Sequence, residues 1–226
     1  MRSSGTPSWA ARRASEASLA VTRSARRSAR CAISLPRGLR DSTSKSEPLY
    51  NLDLLLRAFA QARDVVPAAH LIVAGQGSRT TELQALAHAL NLGGDVRFAG
   101  QQSPQQLAVL LAGAHVYASV PSSDSFALGN VEAMAAGAFP ILSDLPSTKG
   151  WLEDGVGGLL VPAAHVEALA QALIRALTDE AMRGSAVAPN RAKVEASGLR
   201  ERNMLLMERH YYRLAGHPQA GGGEAT

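Results

Sequence analysis

Short apolar runs that end in glycine or a polar turn alternate, from about residue 48 onward, with stretches whose apolar residues fall three and four positions apart. The runs are His70-Leu-Ile-Val-Ala-Gly75, Val96-Arg-Phe-Ala-Gly100, His115-Val-Tyr-Ala-Ser-Val120, Pro140-Ile-Leu-Ser-Asp144 and Gly158-Leu-Leu-Val-Pro162. Segments this short and this apolar suit strands buried on both faces, as in a parallel sheet. Leu52, Leu55, Leu56, Phe59 and Ala60 describe an amphipathic helix, and Leu83, Leu86, Ala87 and Leu90 a second one that stops at Asn91, Gly93 and Gly94. Ser103-Pro104 caps and starts a third through Leu107, Leu110 and Leu111. Further helices are expected around Glu132 with Gly137 as stop, over 166–177 and over 199–214.

Strands alternating with helices at this spacing pair in parallel, with crossover helices on both faces of the sheet. The predicted fold class is α/β, a Rossmann-like parallel sheet. Ligands of such sheets sit at the carboxyl ends of the strands, beside the point where strand order reverses. The loops after Ala74, Phe98 and Val120 share that edge. A chain of 226 residues that is 46% hydrophobic fills one sizeable core. The expected organisation is therefore one domain over 46–215, a disordered Arg- and Ser-rich extension over 1–45, and a disordered tail over 216–226. The extension also has the composition of an organelle transit peptide, but no apolar face recurs in it.

The formal charge of +4 invites a nucleic-acid partner, and its distribution argues against one. Nine of the 23 basic residues lie in the first forty positions beside a single acid, Glu16, which leaves 14 basic against 18 acidic residues for the remainder, a net −4. One cysteine, Cys31, excludes an internal disulfide framework and a Cys-rich zinc site, and fits a reducing cytoplasm. The histidines are scattered without metal-ligand spacing, so no metal is expected. No apolar run reaches the roughly 18 residues of a membrane-spanning helix.

Residues 119–144 concentrate the chemistry. A strand end leads through Ser122, Ser123, Asp124 and Ser125 into a helix that holds Glu132, eight positions after Asp124. The amides of Phe126, Ala127 and Leu128 would be unpaired in the first turn of that helix, where its dipole favours a phosphate. Asp124 or Ser125 would also serve as a plain helix cap. Glu132 stands among Val131, Ala133, Met134 and Ala135, where a charge must be solvated, paired or bound to a ligand. Gly75-Gln-Gly77-Ser78 has the opening of a dinucleotide fingerprint, but Thr80 occupies the place of the third glycine. It reads better as a tight turn near a ligand than as a nicotinamide site. His115 carries no assigned role, and Trp151 either packs on a ligand or covers the core.

The run from Ser122-Ser-Asp-Ser-Phe126 through Glu132-Ala-Met-Ala-Ala-Gly137 to Phe139-Pro-Ile-Leu-Ser-Asp144 resembles the E-x7-E region of retaining glycosyltransferases of family 4. Supporting segments come in that family's order: Glu47-Pro-Leu-Tyr-Asn51, Leu71-Ile-Val-Ala-Gly-Gln-Gly77, Val96-Arg-Phe-Ala-Gly100 and Asp154-Gly-Val-Gly-Gly-Leu-Leu-Val-Pro162. The resemblance implies the carboxyl-terminal, donor-binding half of a GT-B enzyme, which takes a UDP- or GDP-sugar and needs neither metal nor cofactor. Asp124 stands in place of the first glutamate and would hold sugar hydroxyls. Glu132 matches the second and would hold the ribose. Ser123, Ser125, Phe126, Ala127 and Leu128 would surround the diphosphate, Val96, Arg97 and Phe98 would lie against the base, and Gly77 and Ser78 would line the pocket. Lys45 is the nearby surrogate for the family's phosphate-binding cation. The family's first strand should precede Glu47, and residues 40–46 make a poor strand.

The function expected is donor binding for retaining transfer to a lipid or polysaccharide of the cell envelope, in the cytoplasm at or near the inner membrane face, with peripheral membrane association. A whole enzyme of this kind also has an amino-terminal acceptor domain, which forty-odd Arg-rich residues do not supply. The isolated chain is accordingly expected to be incomplete. The alternatives are a non-catalytic nucleotide-binding subunit acting with a partner chain, and an NAD-dependent dehydrogenase, which Thr80 disfavours.

Overall fold

The computed structural model describes residues 29–34, 50–124 and 128–197. Among these residues six strands form one sheet: β1 (Ala29–Ser34), β2 (Ala69–Ala74), β3 (Val96–Gly100), β4 (Val116–Ser119), β5 (Phe139–Ser143) and β6 (Leu159–Val161). Their order is β3-β2-β1-β4-β5-β6, with every pair of neighbouring strands parallel. The helices are α1 (Leu52–Val65), α2 (Thr80–Ala89), α3 (Pro104–Ala112), α4 (Leu128–Ala136), the short α5 (Pro146–Lys149), α6 (Val166–Thr178) and α7 (Glu180–Ser197).

Side-chain alternation along the strands makes a three-layer molecule. In β4, Val116 and Ala118 join a cluster with Leu55, Leu56 and Phe59 of α1, Leu83 of α2 and Leu169 and Leu173 of α6. Tyr117, between them, turns to the other face, among Leu107 and Leu111 of α3, Ala133 and Met134 of α4 and Val194 of α7. Period-two alternation under a sheet covered on both faces produces this split.

Two sequence expectations are corrected. Residues 1–45 are not irregular throughout, because Ala29–Ser34 is β1 and runs in register from Ala29 opposite Ala69 to Ser34 opposite Ala74. It also pairs with β4 and so occupies the middle of the sheet. Its apolar run is only Cys31-Ala-Ile33 and it carries Arg30, so it merges by composition with the arginine-rich residues before it. The first strand thus lies upstream of 40–46, the segment judged a poor strand.

The second correction is α7, for which no helix was expected. It buries Met182, Ala186, Asn190 and Val194, a stripe at strict four-residue steps that is interrupted by a polar residue, and the helix also contains Pro189. Asn190 Nδ2 donates to Gly157 O at 2.6 Å, which docks α7 on the turn before β6. The helix expected over 199–214 and the tail over 216–226 lie outside the described residues. Among those described, no helix is long and apolar enough to cross a membrane.

Candidate functional site

Strand order reverses between β1 and β4, and the chain leaving the carboxyl end of β4 is the loop 120–124. That is where a sheet of this topology receives a ligand. Side chains from three separate elements hold this loop. Asn51 Nδ2, at the start of α1, donates to Val120 O at 2.8 Å and to Ser122 Oγ at 2.9 Å. Ser143 Oγ, at the end of β5, donates to Pro121 O at 2.6 Å. Ser147 Oγ of α5 donates to Asp124 O at 2.8 Å. Thr148 Oγ1 in turn donates to Ser143 O at 2.6 Å and accepts from Leu145 N at 3.0 Å, so α5 is itself fastened to β5. Backbone carbonyls in a loop are left over by the sheet and need partners. Here two serines and an asparagine provide them, and the loop takes one shape.

Asp124 and Glu132 are both half-buried and flank one buried group. Burial pushes the Tyr117 hydroxyl well above the ordinary tyrosine range, and the charges of Glu132 and Asp124 push it the same way. The ring stays neutral and donates to Asn130 Oδ1 of α4 at 3.2 Å. Tyr50, just before α1, is raised too, by burial first and then by Asp124. Asp124 therefore lies within electrostatic reach both of the start of α1 and of the Tyr117 ring below α4. The α4 terminus opposite the site is fixed by Gly137, whose φ is 91°, and by Arg191 of α7, which donates to Ala135 O at 3.2 Å and Ala136 O at 3.3 Å. A cation there complements the negative end of the helix.

The remaining expected site residues divide. Ser123 is exposed in the loop beside Asp124, and Leu128 opens α4 with its side chain 65% exposed. Lys45, Ser125, Phe126 and Ala127 lie outside the described residues. Gly77 and Ser78 are on the same sheet edge, after β2, but the Gly77 amide is engaged: it donates to Thr80 Oγ1 at 3.1 Å, and that hydroxyl donates back to Gly77 O at 2.7 Å. Thr80 thus closes the turn that a third glycine would leave open to a pyrophosphate.

Val96 does not reach this edge. It begins β3 opposite Leu71 and packs against the core, whereas Gly100 ends β3 opposite Ala74. At roughly 3.3 Å per residue, Val96 lies about 13 Å from the carboxyl end of its strand. Arg97 is exposed next to it, and Phe98 is turned into the core with Leu52, Leu55 and Leu83. Of this segment only its end, at Ala99 and Gly100, belongs to the ligand edge. Trp151 is half-buried and packs on the cluster containing Leu152 and Met134. Asn51, Ser143, Ser147 and Thr148 were not foreseen, because single small polar residues carry no spacing signal. Among the described residues no group of three or more His, Cys, Asp or Glu side chains could hold a metal.

A parallel sheet ordered 3-2-1-4-5-6, with a clamped loop ending in Asp124 at its reversal point, defines a Rossmann-type α/β domain. The chain belongs to the family of glycosyl transferases group 1, whose model matches residues 43–193. It is 34% identical over 143 residues to a phosphatidyl-myo-inositol mannosyltransferase of Mycolicibacterium smegmatis, covering 63% of this chain and 36% of the relative. A GDP-mannose:cellobiosyl-diphosphopolyprenol alpha-mannosyltransferase of Komagataeibacter xylinus is 29% identical over 174 residues, covering 76% of this chain and 40% of that protein. The chain therefore spans well under half the length of these relatives. Among solved structures it resembles the sucrose-phosphate synthase of Thermosynechococcus elongatus, with a TM-score of 0.74 at 25% identity over 89% of this chain and 49% of that one. It also resembles the C-terminal domain of a group 1 glycosyl transferase from Francisella tularensis, with a TM-score of 0.64 at 15% identity over 75% of this chain and 85% of that domain. The fold is that of the GT-B glycosyltransferases.

Proposed function

We propose that this chain is the donor-binding domain of a retaining, family-4-type glycosyltransferase and binds a UDP- or GDP-sugar at loop 120–124 and α4. The observation that carries the reading is the loop itself: its carbonyls are held from α1, β5 and α5 at the switch point of the sheet, and it ends in Asp124. In this reading Asp124 accepts hydrogen bonds from the donor sugar, and Glu132, one turn into α4, accepts them from the ribose. The amides of Phe126, Ala127 and Leu128 hold the diphosphate at the helix terminus, with Ser123 and Ser125 beside it. Lys45 serves as the surrogate phosphate-binding cation, and Gly77 and Ser78 line the pocket. Ala99 and Gly100, rather than Val96 and Arg97, face the base.

Such a site works by positioning and by electrostatics more than by proton transfer. The sugar is held between fixed acceptors while helix amides stabilise negative charge on the departing diphosphate as an oxocarbenium-like centre forms. No metal enters this scheme. The acceptor, a lipid or polysaccharide of the cell envelope, would be bound by another domain or a partner chain, with the enzyme in the cytoplasm at the membrane face. The mannosyltransferase relatives make GDP-mannose the first donor to try, and the UDP-bound structural relatives make UDP-glucose the second.

Calorimetric titration of the chain with GDP-mannose, UDP-glucose and NADH tests the proposal. Saturable binding of one nucleotide sugar with no binding of NADH is expected. A folded chain that binds neither sugar nucleotide refutes it.

A further inference from the structure

Asn51 stands at the N-cap position of α1 and is a preferred residue there, yet its side chain makes no capping hydrogen bond. Its backbone is left-handed, at φ 52° and ψ 36°, a region that glycine enters freely and other residues enter at a cost. It is 7% exposed. Both protons of its amide go to the loop after β4, one to Val120 O and one to Ser122 Oγ, partners 69 and 71 positions away in sequence. A glycine would meet the backbone requirement and a serine the capping requirement. Of the residues preferred at this position, only asparagine offers two protons from one nitrogen to the two loop acceptors.

These bonds act on one half of the site. They fix the segment that leads into Asp124, whereas Glu132 rides on α4, which is anchored independently by Tyr117 through Asn130 and by Arg191. The proximity of Asp124 to the start of α1 also shows in Tyr50, the neighbour of Asn51. We infer that Asn51 is a positioning residue: its carboxamide sets the loop so that Asp124 faces the donor sugar, and it thereby separates affinity for a nucleotide sugar from affinity for the bare nucleotide. This rests on the donor-site reading.

Three variants of the full chain test it. Asn51→Gly keeps the left-handed backbone without steric cost and removes the amide. Asn51→Asp keeps the shape and sets a carboxylate against Val120 O. Ser122→Ala removes one acceptor without touching α1. Hydrogen exchange of the peptide spanning 120–124 is measured without ligand, and calorimetry gives affinities for GDP-mannose, GDP, UDP-glucose and UDP.

For Asn51→Gly, loop exchange is expected to rise about tenfold at unchanged exchange in the core strands. Sugar-nucleotide affinity should fall about tenfold, the scale set by one to two hydrogen bonds, and bare-nucleotide affinity less than about twofold. Asn51→Asp should do more and Ser122→Ala less. Unchanged loop exchange in both Asn51 variants overturns the clamp whatever the ligands do. Equal losses for sugar nucleotide and bare nucleotide overturn the positioning role. Raised loop exchange in a protein whose wild type binds no ligand upholds the clamp and overturns the donor-site reading alone.

Discussion

Ser143→Ala isolates the loop's most buried fastening. Ser143 has no exposed surface, and its hydroxyl reaches the carbonyl of Pro121, also buried, at 2.6 Å. The substitution deletes one oxygen and leaves almost no cavity, so packing contributes little. What is lost is a hydrogen bond, and what remains is a buried carbonyl with no donor, together costing about 1–3 kcal/mol. In a domain of this size each kcal/mol lowers Tm by about 2–4 °C. Urea unfolding followed by circular dichroism should show the midpoint falling at constant slope, the sign of a change in stability alone. Ser147→Ala is the internal control: its bond to Asp124 O is only partly buried, so water can replace it, and the loss should stay below about 1 kcal/mol. A Ser143→Ala protein within about 0.3 kcal/mol of wild type, or a larger effect at Ser147, would refute the claim that buried side-chain donors set the shape of the loop.

Glu132→Ala should weaken GDP or UDP and the corresponding sugar nucleotide alike, whereas Asp124→Ala should weaken the sugar nucleotide and spare the bare one; calorimetry showing equal loss of bare-nucleotide affinity in both contradicts this division. Tyr117 is held protonated in the fold by burial and then by Glu132 and Asp124, so the unfolded chain releases its proton first, at the ordinary value of 10.0. Stability from this group is complete below that pH and declines as pH rises above it, and Tyr117→Phe should flatten that part of the alkaline stability curve in urea titrations. Leu173→Ala, at a fully buried position of α6, should cost about 2–5 kcal/mol by the same assay. Gly158→Ala would place a methyl 2.5 Å from Pro140 O and should destabilise by about 1–3 kcal/mol, read as a lower Tm.

Apolar runs and their helical partners were legible because burial on both faces leaves a compositional trace: β2 through β6 and α1 through α4 follow from it directly. β1 left almost no trace, since its apolar run is brief and sits in an arginine-rich context. It becomes a strand only because β2 and β4 present edges on either side of it. The helix α7 was hidden for a related reason, with one asparagine in its buried stripe and an exposed proline, Pro189, inside the helix.

At the site, Asp124 and Glu132 stood out because carboxylates next to a small-residue loop and inside an apolar helix are chemically expensive. The partners that shape the loop did not stand out. Asn51 looks like a helix cap, Ser143 like the end of a strand and Ser147 like part of a turn, and only the tertiary arrangement turns their hydrogen bonds toward one loop. Val96 shows the opposite error, in which a motif-like position belongs to the amino end of its strand and to the core.

Hydrogen exchange of the chain with and without GDP-mannose or UDP-glucose tests the central claim most directly, because it reports both binding and place. Protection should appear in loop 120–124 and the first turn of α4, with lesser effects at the turn 75–80, and should vanish in Glu132→Ala at the same ligand concentration. Protection confined to 75–80, or no change in loop 120–124 at saturating ligand, would contradict a donor site built on Asp124 and Glu132.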